Sequence, residues 1–318
     1  METIQPIKSK LKSNRLILKI YRLIQYYRDR IVVHISPKFL ANNTYKKFFH
    51  KNINWDNPKN LIEKIYWLQL NTDTSLWTLC ADKYRVREYV KDKGCESTLN
   101  KLYGVWENVD DINFDTLPDS FVLKTNNSCG QIILVKDKSE LNIPEAKKKL
   151  KRWMKSNYGY SGVQLHYTRI RPCIIAEELL INDNDKNSSL VDYKIWCFNG
   201  KADSILVVSE RGWNEEGSDR YLLNVYDLQW NNISEKVLKK EDKHYSGSNT
   251  PQPTCLKEMI EYAEKLSAGF PEVRVDFYEI KNKVIFGELT FTTGYGYYTD
   301  EFYDYLGSKV DLAPYMRK

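Results

Sequence analysis

The residues best suited to chemistry lie in the last fifth of the chain, in Val273–Gly294, which reads V-R-V-D-F-Y-E-I-K-N-K-V-I-F-G-E-L-T-F-T-T-G. Alternation on both sides of Lys281–Lys283 gives two short strands joined tightly, a hairpin pattern. A three-residue loop over Lys281, Asn282 and Lys283 pairs Ile280 with Val284. It also sets Asp276 opposite Glu288 and Arg274 opposite Thr290. The other face then collects Val275, Phe277, Ile285 and Leu289. A two-residue loop would slip the pairing by one and turn Glu288 into that apolar face, so the longer loop is expected. Two carboxylates directly opposite each other repel. Such a pair persists where something positive sits between them, and hard oxygen ligands suit Mg²⁺. Arg274 on the same face supplies a further positive charge. This is the layout of a site for metal and phosphate; a solvated strand face with alternating charges is the plainer alternative.

Two further groups could serve such a site. Lys124 closes a predicted strand and runs at once into Asn126–Gly130 (N-N-S-C-G), a loop of small residues that includes Ser128. Backbone N–H groups in a loop of this kind cradle phosphate oxygens, and a lysine before it neutralises them. An exposed strand-end lysine has the same sequence. Glu177, Glu178 and Leu179 end another predicted strand; two carboxylates there need partners, either nucleotide hydroxyl and amino groups or lysines.

The elements that must position these residues can be read in order. Residues 8–31 alternate Lys and Arg with Leu16, Ile20, Leu23, Ile24 and Tyr27 at helical spacing. Such a basic amphipathic helix either lies on an anionic membrane surface or docks its stripe on the body of the protein. Helical patterns follow at 61–70 and 80–90, then short strands at 102–105, 121–124 and 132–135. A helix begins near Pro144, and a buried strand covers 173–181. The polar loop 182–189 marks a boundary. Beyond it lie strands at 193–198 and 204–209, joined by Asn199-Gly200, a strong hairpin signal. A strand at 221–226 and a helix over 256–268 that stops at Gly269 lead to the hairpin. The expected division is a basic extension over 1–60, a helical region over 61–118, a small lobe over 119–181 and a large lobe over 182–318.

Composition bounds the rest. Of 318 residues, 42% are hydrophobic and 28% charged, with 23 Tyr and 8 Trp for a core. The net charge of +6 is uneven. Residues 1–50 carry eleven Lys/Arg against only Glu2 and Asp29, so the body is slightly acidic and nucleic acid is not an expected partner. Six scattered cysteines without a C-x-x-C pair suggest neither a zinc site nor a disulfide framework. No apolar run reaches the length of a spanning helix and no signal-peptide pattern is seen, so a cytoplasmic setting is expected, with peripheral contact at the inner face of the membrane through the basic N-terminus.

In this order the pieces resemble the ATP-grasp superfamily, most closely its TupA-like (teichuronic acid) polysaccharide-biosynthesis branch. The motifs that carry the resemblance are D-K-Y-R-V-R-E-Y-V at 82–90, F-V-L-K at 121–124 with its loop, I-A-E-E-L-L at 175–180, D-Y-K-I-W-C-F-N-G-K at 192–201, V-R-V-D-F-Y at 273–278 and G-E-L-T-F at 287–291. They span about residues 60–300. The resemblance implies an α+β ATP-grasp fold in which two lobes clamp ATP. It implies that Lys83 and Lys124 reach the phosphates with Ser128 and Gly130 of the loop, and that Glu177, Glu178 and Leu179 line adenine and ribose. Asp192 and Lys194 would face the nucleotide. Asp276 and Glu288, with Thr290, would hold Mg²⁺, and Arg274 would steady the transferred phosphoryl group. Thr290 stands where many such enzymes place Asn, and the loop is poorer in glycine than expected.

The implied activity is an ADP-forming ligase with ATP and Mg²⁺ as cofactors. It would join a carbohydrate-linked carboxylate to an amine during capsule or cell-wall polysaccharide synthesis. A sugar kinase or glycosyltransferase on the same fold, and a non-catalytic glycan- or membrane-binding module, are the alternatives. Arg211, Arg220 and Tyr295–Tyr298 are candidate cosubstrate contacts by position alone.

Overall fold

The computed structural model describes residues 15–160, 162–182, 189–213 and 219–316. It opens with helices α1 (Arg15–Ile35), α2 (Pro37–Phe49), α3 (Leu61–Asn71), α4 (Ser75–Ala81) and α5 (Val86–Asp92). The helix expected over 8–31 is present from 15 and runs on to 35; residues 8–14 lie outside the described residues. Ser36 ends it and caps the next, its hydroxyl accepting from the Phe39 N–H before Pro37 sets the first turn. At α3 Asn60 and Glu63 form a reciprocal capping box. The single helix expected over 80–90 is broken. The buried Asp82 carboxylate accepts from the Tyr84 and Arg85 N–H groups and pairs with the Arg85 guanidinium, so α4 ends and α5 starts afresh. Lys83 consequently sits on a turn and not on a helix face.

The smaller sheet holds β1 (Leu102–Trp106), β2 (Phe121–Thr125), β3 (Ile132–Val135) and β4 (Ile174–Glu177), in the order β1-β4-β2-β3, all antiparallel. One face packs Phe121, Leu123, Val135, Ile174 and Ala176 against Leu150 of α6 (Ile143–Met154). The sheet thus begins at Leu102, inside the helical region expected to end at 118. The strand expected over 173–181 leaves the ladder at Glu177, where the Glu178 N–H turns to the Lys101 carbonyl at 2.9 Å.

The larger sheet is also antiparallel. It contains β5 (Asp192–Phe198), β6 (Lys201–Trp213), β7 (Asp219–Tyr226), β8 (Val273–Ile280) and β9 (Lys283–Thr290) in the order β7-β6-β5-β8-β9. Asn199 (φ 50°) and Gly200 (φ 77°) take the left-handed conformation that a two-residue hairpin needs. α7 (Leu256–Ser267) covers one face, with Met259, Ala263 and Leu266 in the same core as Ile195, Val275 and Phe277. The opposite face carries the polar residues. α8 (Asp300–Ser308) packs on α3 and ties the chain's end to its beginning.

The β8–β9 hairpin corrects the sequence reading in one respect. Its loop has two residues, Lys281 (φ 51°) and Asn282 (φ 57°), and Ile280 pairs with Lys283. Tyr278 then pairs with Ile285 and Phe277 with Phe286. Gly287 is the extra residue of a bulge that restores the pairings Asp276–Glu288, Val275–Leu289 and Arg274–Thr290. The expected register at the site holds, although the loop does not. Ile285 moves to the Asp276 side, and Val284 and Phe286 join the core instead. A Cβ on Gly287 would stand 2.9 Å from the Asp276 carbonyl oxygen, so the bulge requires glycine.

Candidate active site

The pairing of three adjacent strands sets the polar residues of the large sheet in rows. Lys194 on β5 pairs with Asp276 on β8, which pairs with Glu288 on β9. The next row is Trp196, Arg274 and Thr290. In a ladder, directly paired residues share a face, so all six look the same way. Asp192, two residues before Lys194, extends this surface beside Tyr278.

Asp276 is the centre of the network and only 2% exposed. Arg274 holds it with two hydrogen bonds, Nε to Oδ1 at 2.7 Å and Nη2 to Oδ2 at 2.8 Å, and the Lys194 ammonium donates to Oδ2. Burial pushes the Asp276 carboxyl up, but Arg274 and Lys194 more than reverse this, and its pKa lies below the ordinary value. Burial likewise pulls the Lys194 ammonium down while Asp276 and Asp192 carry it above its usual range. The expected repulsion between Asp276 and Glu288 is therefore not the governing force. Asp276 already has two cations, supplied by its own strand and by β5. Glu288 is half-exposed; Thr290 Oγ1 donates to it at 3.1 Å, and Arg274 Nη2 lies 4.0 Å away.

Arg274 is fixed on its far side too. Nη1 donates to Thr293 Oγ1 at 2.8 Å and Nη2 to Thr290 Oγ1 at 3.2 Å. Asp192 accepts from Arg211 Nη2 at 2.7 Å and lies 3.4 Å from Lys194 Nζ. The face thus carries three cations (Lys194, Arg211, Arg274) and three carboxylates (Asp192, Asp276, Glu288) in one hydrogen-bonded surface.

The loop of small residues is tied to the turn that precedes α5. Lys83 Nζ donates to the Ser128 carbonyl at 2.6 Å, and the Lys83 N–H donates to the Asn126 carbonyl at 3.2 Å. Ser128 Oγ donates to Gln131 Oε1 at 2.8 Å within the loop, while the Asn126 and Asn127 side-chain amides donate outward to the Arg171 and Ser156 carbonyls. Gly130 is exposed with φ 72°. The Cys129 thiol at the loop tip is raised first by the protein around it and then by Glu288, against Lys83, Lys194 and Arg211. Tyr158 and Tyr167 also feel Glu288 and Cys129, in each case after the effect of burial.

A second group lies on the open face of the small sheet. Lys124 forms an ion pair with Glu177, and Arg87 Nη1 approaches Glu177 Oε1 at 3.4 Å. Arg87 is anchored by its bonds to the Asn100 carbonyl and side chain. Val122, Ile132, Leu134 and Ile175 share the strand face of Lys124 and Glu177, and Ile132 and Leu134 are exposed. Glu177 is buried, Glu178 exposed, and Leu179 intermediate.

Sequence reasoning missed Arg87, Tyr158, Tyr167, Tyr278 and Thr293. Arg87 lies within the quoted 82–90 motif and Tyr278 two residues past Asp276, so both carried a signal. Nothing in the spacing marks Tyr158 or Tyr167. Of the positional guesses, Arg211 joins Asp192. Tyr298 is buried and accepts from the Trp196 indole N–H at 3.0 Å, a packing role, and Tyr295 bonds to Tyr66. The Arg220 side chain lies outside the described residues.

The donors suit Mg²⁺. Asp276, Glu288 and Thr290 offer two carboxylates and a hydroxyl, all hard oxygens on one face. Among the described residues there is no cluster of three or more His, Cys, Asp or Glu side chains. A two-carboxylate set is what Mg²⁺ takes when phosphates supply its remaining ligands.

A four-stranded antiparallel sheet carrying a small-residue loop, and a five-stranded one carrying a lysine–carboxylate row, are the layout of an ATP-grasp fold. The chain belongs to the TupA-like ATP-grasp family, whose model matches residues 63–310. Among curated proteins no significant match was found. Solved structures with a related fold include D-alanine–D-alanine ligase from Bacillus anthracis, 14% identical with a TM-score of 0.41, covering 68% of this chain and 59% of that one. The Helicobacter pylori enzyme of the same name is 14% identical with a TM-score of 0.37, covering 73% and 59%. Phosphoribosylamine–glycine ligase from Thermotoga maritima is 12% identical with a TM-score of 0.40, covering 67% and 48%. The chain thus spans less than two thirds of the length of each of these ligases.

Proposed function

We propose that the protein is an ADP-forming carboxylate–amine ligase that uses Mg·ATP to activate a carbohydrate-linked carboxylate during cell-surface polysaccharide synthesis. The observation that carries this is the Lys194–Asp276–Glu288 row beside Arg274, with a small-residue loop tethered by Lys83. In this reading the open face of the small sheet takes the nucleoside. Ile132 and Leu134, exposed over the buried Val122 and Ile175, offer apolar contact for a purine, while Glu177, Glu178 and Leu179 meet adenine and ribose. Lys83 and Lys124 serve the phosphates with the backbone of Ser128 and Gly130. Asp192 holds Arg211 and Lys194 in place.

Asp276, Glu288 and Thr290 would hold Mg²⁺, which draws negative charge off the phosphates when bound. Arg274 and Lys194 are kept in position by Asp276 until phosphate oxygens take over their hydrogen bonds. The carboxylate of the first substrate attacks the γ-phosphorus, and the bond to the β-bridging oxygen breaks to release ADP. The amine then attacks the acyl carbon of the resulting acyl-phosphate, and inorganic phosphate leaves with its bonding pair. The amine's proton passes to solvent or a nearby base. Preorganised cations aimed at the transferring group are the main catalytic device. The free cysteines fit a reducing cytoplasm, and the basic N-terminus fits work at the inner face of the membrane.

The test is release of ADP and phosphate across a panel of nucleotide-linked uronic acids and amines. The ligase releases both products only when carboxylate and amine are present together. ADP without free phosphate would make it a kinase. Turnover of a nucleotide sugar without ATP would make it a glycosyltransferase, and no turnover of any kind a binding module.

A further inference from the structure

α1 does not bury its apolar stripe on the body. Ile17, Ile20, Ile24, Tyr27, Ile31 and Ile35 recur at three- and four-residue steps, which sets them along one helix face. Their exposures run from 36% at Ile17 to 78% at Ile35. Exposed Leu23 widens the stripe, and Phe39 at the start of α2 is exposed as well. The body is met by other residues. Val33 is buried, Tyr26 Oη accepts from the Asn157 N–H at 3.3 Å, and the Tyr26 and His34 rings lie 6.1 and 5.7 Å from that of Tyr160. The helix is thus already anchored, and a long apolar face is left over.

Beside the stripe, α1 and α2 enclose a groove of about 420 Å³. Val32, Phe39 and Leu40 supply its apolar part, and Lys46 and Lys47 its positive charge, with Arg28, paired to Asp29, at its edge. An apolar stripe next to a cationic groove matches acyl chain next to anionic headgroup. The charge of the chain agrees: eleven Lys/Arg against two acids in residues 1–50, and a slightly acidic remainder. An anionic surface attracts this end and repels the body. No described helix is long and apolar enough to cross a membrane, so the helix would lie in the interface.

We propose that α1 and α2 form a dock for an anionic phospholipid bilayer, with the Ile17–Ile35 stripe in the acyl boundary and a lipid phosphate in the Lys46–Lys47 groove. The dock does not depend on the ligase reading. It meets the enzyme body at Tyr160, two residues from Tyr158, which feels the site carboxylate Glu288.

The full-length protein should co-sediment with phosphatidylcholine vesicles containing phosphatidylglycerol and not with phosphatidylcholine alone. Ile24→Glu/Ile31→Glu and Lys46→Glu/Lys47→Glu should each weaken that binding more than tenfold while leaving the melting temperature unchanged. Added salt should weaken parental binding, since exposed charges are screened. Lys124→Ala should bind vesicles like the parent, which separates failure of the dock from failure of nucleotide binding. Parental binding unchanged in both double variants would overturn the proposal. So would a concentration-dependent dimer in sedimentation velocity that Ile24→Glu/Ile31→Glu abolishes, because a second copy would then cover the stripe.

Discussion

Asp276 and Glu288 are neighbours of the same charge, yet removing one or the other should have opposite consequences for stability. Asp276 is buried between Arg274 and Lys194. Asp276→Asn removes the carboxylate that two buried cations share and leaves them only the more distant Asp192 and Glu288, which costs about 3–5 kcal/mol. Glu288 is half-exposed, and Glu288→Gln should change stability by no more than about 1 kcal/mol. Urea unfolding of both variants without nucleotide checks this; equal effects would mean that Asp276 is not the hub of the network. The opposition of Asp276 and Glu288 was legible in the sequence. The neutralisation of Asp276 was not, because Lys194 is 82 positions away and only the β5–β8 pairing brings it in. A second residue-scale prediction concerns His166, which is buried among Trp77, Tyr167 and Phe291. Burial, with help from Arg169, pulls its pKa down to about 3. Below the ordinary histidine value near 6.5 the unfolded chain takes up a proton that the folded chain refuses, so stability falls with pH by up to about 1.4 kcal/mol per unit. His166→Leu should flatten that slope between pH 6.5 and 4, measured by urea midpoints across pH.

At the scale of elements, the β8–β9 hairpin shows which kinds of pattern a sequence carries. Alternation located both strands, and the need to keep Glu288 off the apolar face fixed the pairing at the site. The same constraint can be met in two ways, by a longer loop or by a shorter loop with a bulge. Lys281 and Asn282 both adopt positive φ and Gly287 fills the bulge, so the chain takes the second. Glycine inside a strand is a bulge signal, and here it was the one available. Deleting Gly287 while keeping the two-residue turn should close the bulge into a regular ladder, because Glu288 then follows Phe286 directly and still pairs with Asp276, as Thr290 does with Arg274. The deletion variant should therefore fold and keep its stabilisation by Mg·ATP, read as a shift of the melting temperature. Gly287→Ala, whose Cβ meets the Asp276 carbonyl oxygen at 2.9 Å, should be destabilising by about 1–3 kcal/mol. Loss of nucleotide stabilisation in a deletion variant that still folds would contradict this register. Similar reasoning explains the break at Asp82. The helical pattern from 80 to 90 is real, but a carboxylate that captures two N–H groups ahead of it overrides propensity.

At the scale of the whole molecule, motif order identified the family, and periodicity found most elements. Membership of β1 in the small sheet was not legible, since five short residues at 102–106 carry no mark of which sheet they join. The positions of Tyr158 and Tyr167 were equally silent, because an irregular segment has no period to read. What the assembled molecule adds is a connection between the Lys83 turn and the loop at 126–131, two segments that each looked unspecific alone. Lys83 Nζ ties itself to the Ser128 carbonyl, and Lys124 pairs with Glu177 on the sheet that feeds the loop. Each lysine is partly exposed and thus has room to change partners when phosphates arrive. A ligand that binds only the folded state at a hundred times its dissociation constant stabilises it by about 2.7 kcal/mol. The parent should show an upward shift of its melting temperature in saturating Mg·ATP that reflects this. Lys83→Ala removes a phosphate partner and the loop's tether, and should lose most of the shift while folding normally. Lys124→Ala should lose it as well, with a modest loss of basal stability because Glu177 keeps only Arg87. If both variants retain the parental shift, the nucleotide does not lie between the loop and the Lys194–Asp276–Glu288 row, and the assignment of this face as the phosphate site fails with it.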